Sequence, residues 1–500
     1  MPNYSLKDVF GIRAHQVVSY TERGTVDGRF EVALEGDHHI VVYGSSKQGK
    51  TSLRLKHLDD GKCVVVRCGP KMGVEDLYMS ILRQEGVTID VYDTRTVSGK
   101  FGTKVQLAYK ARLPFFAGTA SGELSGEGEA ERERRSNYVA FNLGEAQSVS
   151  EILRGMRFSK FVVLENSHYL CREVQQEIAR DLKTFHEVGI RFIILGIWRE
   201  SNMLMIHNPD LQDRVTEIPV EPWHKDDFDR VISVGCECLN VNILRDILGR
   251  FKHEAFGNIG MLQEFLRLYC EVHGVMQTQE KRLSLVSNDR ATEVFQQKLS
   301  DQKNQLVRCL EVIAAKSRTD HRDPLLLPYY LVRVLCKVSI EELQEGIPKQ
   351  RLLEYIRDMH HRENKETIRS GDITYLLKSL QQLQVDLGTP FLYYDANTRR
   401  VRLVDTRHFF VLNRANRDDI LEEIPNPADE WARQMGLSSV SSTGRGLDEC
   451  DDVDEGRNVF GGMAPASVVR GGVVDSGEPF DEDWNRPTEL VDTDLVGEDE

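Results

Sequence analysis

Val41-Val42-Tyr43-Gly44-Ser45-Ser46-Lys47-Gln48-Gly49-Lys50-Thr51-Ser52 decides the fold of this 500-residue chain. A short β-type apolar run ends in Gly, four residues, then Gly-Lys-Thr. Two glycines let the backbone curl until successive N–H groups point inward at a phosphate, and a helix starting near Lys50 adds its positive dipole end. The motif therefore assigns Gly44, Ser45, Ser46, Lys47, Gln48, Gly49, Lys50, Thr51 and Ser52 to a phosphate cradle. Lys50 would reach the β- and γ-phosphates of ATP, and the Thr51 hydroxyl would coordinate Mg²⁺. Context agrees, since residues 37–43 read as a buried strand and the leucines of 51–58 can share a helix face.

A chain of this length is expected to divide into two to four domains. Hydrophobic residues at 40% and charged residues at 29% are ordinary for a globular protein. The longest apolar runs, 161–164 and 192–198, fall well short of a membrane span, and residues 1–7 contain no apolar signal core. A cytoplasmic location without membrane contact is the expectation. The nine cysteines are scattered without framework spacing, and Cys236-Glu237-Cys238 lacks a second ligand pair, so reduced thiols are expected rather than disulfides or zinc. Of 79 acidic and 64 basic residues, 23 acidic and 5 basic fall in 418–500, leaving 59 basic against 56 acidic before them. The acidity belongs to the tail, and the rest of the chain is not barred from nucleic acid.

Strand patterns at 39–43, 62–68, 160–165 and 190–197 alternate with helical patterns at 74–84, 146–156 and 172–188. That alternation predicts a parallel sheet with helices on both faces, a three-layer αβα P-loop NTPase core over residues 1–222. Partial period-two alternation at 104–113, then Gly118, Gly122, Gly126 and Gly128 and a mixed-charge run, predict a β-hairpin or flexible insertion at about 99–136. It reads either as a projecting arm or as a tolerated surface loop. Helical periodicity at 225–239, 243–255, 259–272 and 290–316 predicts an all-α lid over 223–285 and a long connecting helix. Within 286–417, helical stretches at 326–336, 340–344, 349–360 and 372–384 precede a hairpin at 390–405, the pattern of a winged helix. Residues 418–500, rich in Gly, Asp and Glu, are expected to be disordered.

Phe161-Val162-Val163-Leu164-Glu165-Asn166 fits the acidic strand that complements a P-loop, with Glu165 on the metal side. Asn166 occupies the next position, where a catalytic carboxylate is usual, and it is no general base. Slow hydrolysis follows, unless His168 or a neighbouring subunit orients the water. The order of residues 20–27, the P-loop, Leu164-Glu165-Asn166-Ser167-His168-Tyr169-Leu170, residues 191–198, Leu211-Gln212-Asp213-Arg214-Val215 and Gly257-Asn258-Ile259-Gly260-Met261-Leu262-Gln263 resembles prokaryotic AAA+ and STAND-type ATPases near the origin-recognition group. The resemblance spans roughly residues 15–275. It implies a sensor near Arg199 and Asn202, and Arg214 as a finger reaching a neighbour's γ-phosphate. Residues 257–260 occupy the family's lid motif but lack its frequent Pro or sensor arginine.

The winged-helix candidate has a recognition helix with few basic groups and a wing carrying Arg399, Arg400 and Arg402, so it either grips duplex DNA or packs against protein. The tail, with Asp481-Glu482-Asp483-Trp484, either mimics phosphate on a basic surface or serves as a solubilising tether for a protein partner. The expected function is an ATP- and Mg²⁺-dependent switch that forms homo-oligomers, in DNA transactions or antiphage defence as the resemblance implies. The alternatives are a low-turnover nucleotide-binding scaffold and a DNA-binding adaptor.

Overall fold

The apolar run before the P-loop forms β1 (His39–Tyr43). It lies inside a five-stranded parallel sheet with β2 (Cys63–Arg67), β6 (Phe161–Glu165), β7 (Phe192–Gly196) and β8 (Val215–Pro219), in the order β2-β6-β7-β1-β8. These strands belong to a computed structural model describing residues 2–11, 13, 15–99, 102–112, 138–197, 208–317 and 325–427. Arg199, Asn202, the glycine-punctuated part of the insertion and the tail from 428 lie outside the described residues.

Alternation along each strand builds the three layers. Ile40, Val42, Ile193 and Leu195 pack with Phe30 and Leu53 on one face, while Val41, Leu164 and Ile194 pack with Leu77, Leu153 and Leu182 on the other. The strand β8 was not expected from the sequence: only Val215 and Ile218 in its five residues are buried apolar side chains, because it is an edge strand paired on one side with β1. The hairpin begins earlier than the insertion was expected to. The strands β3 (Thr88–Gly99) and β4 (Gly102–Arg112) pair antiparallel, and β5 (Tyr138–Phe141) joins β4.

The lid helices Lys225–Leu239, Arg245–Glu254 and Ile259–Val272 form largely as expected. The lid is not all helical, however, since β9 (Val241–Ile243), with two β-branched residues, pairs in parallel with β10 (Leu283–Leu285), and of these residues only Ile243 had been read as helical. The long helix Asn288–Ala315 leads to helices Leu327–Lys337, Lys349–Met359 and Ser370–Lys378 and to a three-stranded sheet of β11 (Ile347–Pro348), β12 (Leu392–Asp395) and β13 (Arg400–Leu403). Helices followed by a small antiparallel sheet keep the expected order of elements. The helix expected over 372–384 breaks after Lys378, and buried Gln384 instead accepts from the Phe391 and Leu392 amides at 2.7 and 2.6 Å. The expected boundary of disorder at 418 is set too early, since helix Arg417–Glu423 follows, with Ile420 buried, as is Ile424 just beyond it.

Candidate nucleotide site

The P-loop leaves β1 through Gly44, where φ is +151° and a Cβ would meet Val220 Cγ2 at 2.6 Å, so only glycine fits. Gly49, at φ +86°, starts helix Lys50–His57. Lys50 Nζ donates to the carbonyls of Gly44 at 2.9 Å and Ser45 at 2.6 Å, lying across its own loop. Burial pushes its pKa down to about 8, against the pull of Glu221 and Asp405.

A cavity of about 310 Å³ opens beside Lys50, Thr51 and Ser52, bounded by Glu165, Asn166 and His168 and roofed by Thr21, Arg23 and Trp223. Thr21 Oγ1, Trp223 Nε1 and both ring nitrogens of His168 are buried without hydrogen-bond partners among the described residues, the kind of donor and acceptor set that a polar ligand satisfies. The Arg23 guanidinium stacks 3.8 Å over the Trp223 ring and donates to the Val220 carbonyl at 2.8 Å. Sequence reasoning missed Trp223, because a lone aromatic after a strand carries no motif.

Lys47 and Gln48 lie in the loop as expected, but their side chains turn to the lid rather than the cradle. Lys47 Nζ pairs with Glu264 Oε1 at 2.7 Å, the other oxygen of Glu264 pairs with Lys298, and Gln48 bonds Glu221 at the end of the core and the Gly257 carbonyl in the lid at 3.4 Å. The Gly260 amide donates to the Lys47 carbonyl at 3.1 Å. Asn258 Nδ2 donates both to the Ser46 carbonyl at 3.1 Å and to Thr406 Oγ1 at 2.9 Å, joining P-loop, lid and C-terminal domain. Asp405 and Arg407, in the C-terminal domain, form a buried ion pair beside them. None of these lid and C-terminal partners was legible from motif spacing.

Glu165 stands at the end of β6 as expected, yet its carboxylate faces Arg54 and Arg67. Asn166 sits in the left-handed region at φ 60°. Arg214 precedes β8, and its carbonyl accepts from the His39 amide at 2.9 Å where β1 begins, the opposite end of that strand from its own P-loop. Its guanidinium donates to the Asp210 carbonyl. On the wing, Arg400 and Arg402 bond the carbonyls of Gly346 at 2.6 Å and Gln344 at 3.4 Å.

Three histidines have pKa values lowered to about 4, chiefly by burial: His39, His168 and His408. Each is neutral when folded and gains a proton more readily unfolded, so its contribution is intact above pH ~6.5 and is lost as pH falls toward ~4. Denaturant unfolding should show stability falling on the order of 1 kcal/mol per pH unit for each histidine across that window. A flat profile from pH 7 to 5 would show that these rings are solvated.

The sheet order, with β7 between the P-loop strand and the carboxylate strand, together with the helices on both faces, is that of a P-loop αβα fold. No protein-family model and no curated protein matches the chain. Among solved structures it is similar to a Walker-type ATPase of Pyrococcus abyssi, at 13% identity and TM-score 0.43 over 81% of this chain and 99% of that one. It is also similar to the Aeropyrum pernix ORC1 protein in complex with DNA, at 14% identity and TM-score 0.38 over 87% and 98%.

Proposed function

We propose that this protein is an ATP-binding switch in which the lid and the winged-helix-like domain close directly on the P-loop. Asn258 carries the reading, because one side chain holds Ser46 of the loop and Thr406 of the C-terminal domain at once. A triphosphate drawing Lys50 off the Gly44 and Ser45 carbonyls would disturb that loop and therefore its grip on both partners. Lys50 and Thr51 would hold the phosphates, and Mg²⁺ bound to the triphosphate would supply charge neutralisation in the reaction. Arg214 faces away from its own P-loop, which supports a role across a subunit boundary in a homo-oligomer. DNA transactions and antiphage defence remain the settings we favour, with contact to DNA resting on Arg399 and helix Ser370–Lys378, since the other wing arginines bond backbone.

Mass photometry with ADP, ATP and a slowly hydrolysed analogue, with and without duplex DNA, tests the switch. Assembly with the analogue is expected, and Asn258→Ala should assemble at lower nucleotide concentration because the closed contacts are weakened. No nucleotide-dependent assembly in either protein sinks the switch. A low-turnover scaffold is the second reading, favoured by Asn166 beside a neutral His168. Phosphate release by wild type no faster than by Lys50→Met would select it.

A further inference from the structure

The P-loop helix and the carboxylate strand meet in a contact the motif does not require. Arg54 lies three residues beyond Thr51 on helix Lys50–His57, on the neighbouring turn of the same helix face. It is 4% exposed, and its Nη2 donates to Glu165 Oε1 at 3.1 Å while Nη1 donates to Asp60 Oδ1 at 2.8 Å. Arg67 Nε lies 3.6 Å from Glu165 Oε2, so each carboxylate oxygen faces a guanidinium. The Thr51 hydroxyl suits Mg²⁺; the Glu165 carboxylate, already neutralised, does not.

We propose that Arg54 is a positioning residue that occupies Glu165, so that this P-loop grips nucleotide with little help from Mg²⁺. The inference rests on the nucleotide-binding reading above. A divalent ion approaching Glu165 would meet the fixed positive charge of Arg54 in a site of low dielectric, where repulsion is poorly screened. Arg54 does not simply move aside, because its guanidinium is buried and held on its other nitrogen by Asp60 at 2.8 Å. The ion's attraction is thereby confined to the nucleotide's own phosphates and to Thr51, and the protein's standing positive charge does the holding. The chemistry of the triphosphate is a separate matter from this grip.

Titration of fluorescent ADP into the full chain, in Mg²⁺ and in EDTA, is the test. Wild type and Glu165→Gln, which keeps an acceptor for Arg54, should each bind within about threefold in the two buffers. Arg54→Met frees Glu165, and Mg²⁺ should then tighten ADP binding about tenfold or more. Tenfold tightening in wild type that Glu165→Gln removes overturns the proposal, as does a folded Arg54→Met that ignores Mg²⁺. If Arg54→Met fails to show a cooperative melt, the comparison of wild type with Glu165→Gln decides alone. A folded wild type that binds no ADP in either buffer overturns the nucleotide-binding reading instead.

Discussion

Lys50→Met is expected to weaken nucleotide binding on the order of a hundredfold to a thousandfold while leaving the fold intact. The ammonium makes two charge-assisted hydrogen bonds to the Gly44 and Ser45 carbonyls, and a phosphate would replace these with stronger ones. Losing two contacts of ~1.5–2 kcal/mol each accounts for that range. Methionine keeps the stem and removes only a charge that burial already disfavours, so the thermal midpoint should move by only a few degrees. The pH dependence gives an independent check. Unliganded Lys50 loses its proton near pH 8, whereas a bound phosphate holds the proton on. Affinity should therefore be greatest below pH ~8 and fall as pH rises beyond it, with proton uptake on binding near pH 8–9. Calorimetry at pH 8.5 in two buffers of different ionisation enthalpy measures that uptake, and identical heats would contradict it.

Gly260→Ala should separate the lid from the P-loop. A Cβ at Gly260 would lie 2.5 Å from Lys47 Cβ and 2.8 Å from the Lys47 carbonyl oxygen, and the second contact is backbone that no rotamer change relieves. Helix Ile259–Val272 must shift, breaking the Gly260 amide bond to Lys47 and straining the Asn258 bond to Ser46. Overpacking and the lost hydrogen bond together should cost about 2–4 kcal/mol. Hydrogen exchange is expected to rise at residues 44–50 and 257–264 ahead of the sheet. Unchanged exchange there would mean that the lid contacts are ornamental to the P-loop.

These two residues illustrate what can be read in a chain. Lys50 was legible because a phosphate cradle imposes its own local grammar: glycines at fixed spacing, a strand before and a helix after. The burial pattern of β1 and the bounds of helices Lys225–Leu239 and Ile259–Val272 were legible for the related reason that periodicity records which face is covered. The edge strand β8 was not, since half its surroundings are solvent and its five residues carry only a weak alternation. Gly260 read as one glycine of a lid motif, with nothing to say that Lys47 would press against it.

The sequence by itself determined the phosphate loop, the αβα core around it and most of the helices that follow, because each follows from interactions between residues a few positions apart. Only the tertiary structure decided what the loop touches. Asn258 meets Thr406 across 148 residues, Lys47 meets Glu264 across 217, and Arg54 meets Glu165 across 111. Single charged or amide side chains at such separations leave no period and no spacing. Their partners are chosen by packing, because a buried charge or amide must find a partner wherever the fold happens to bring one.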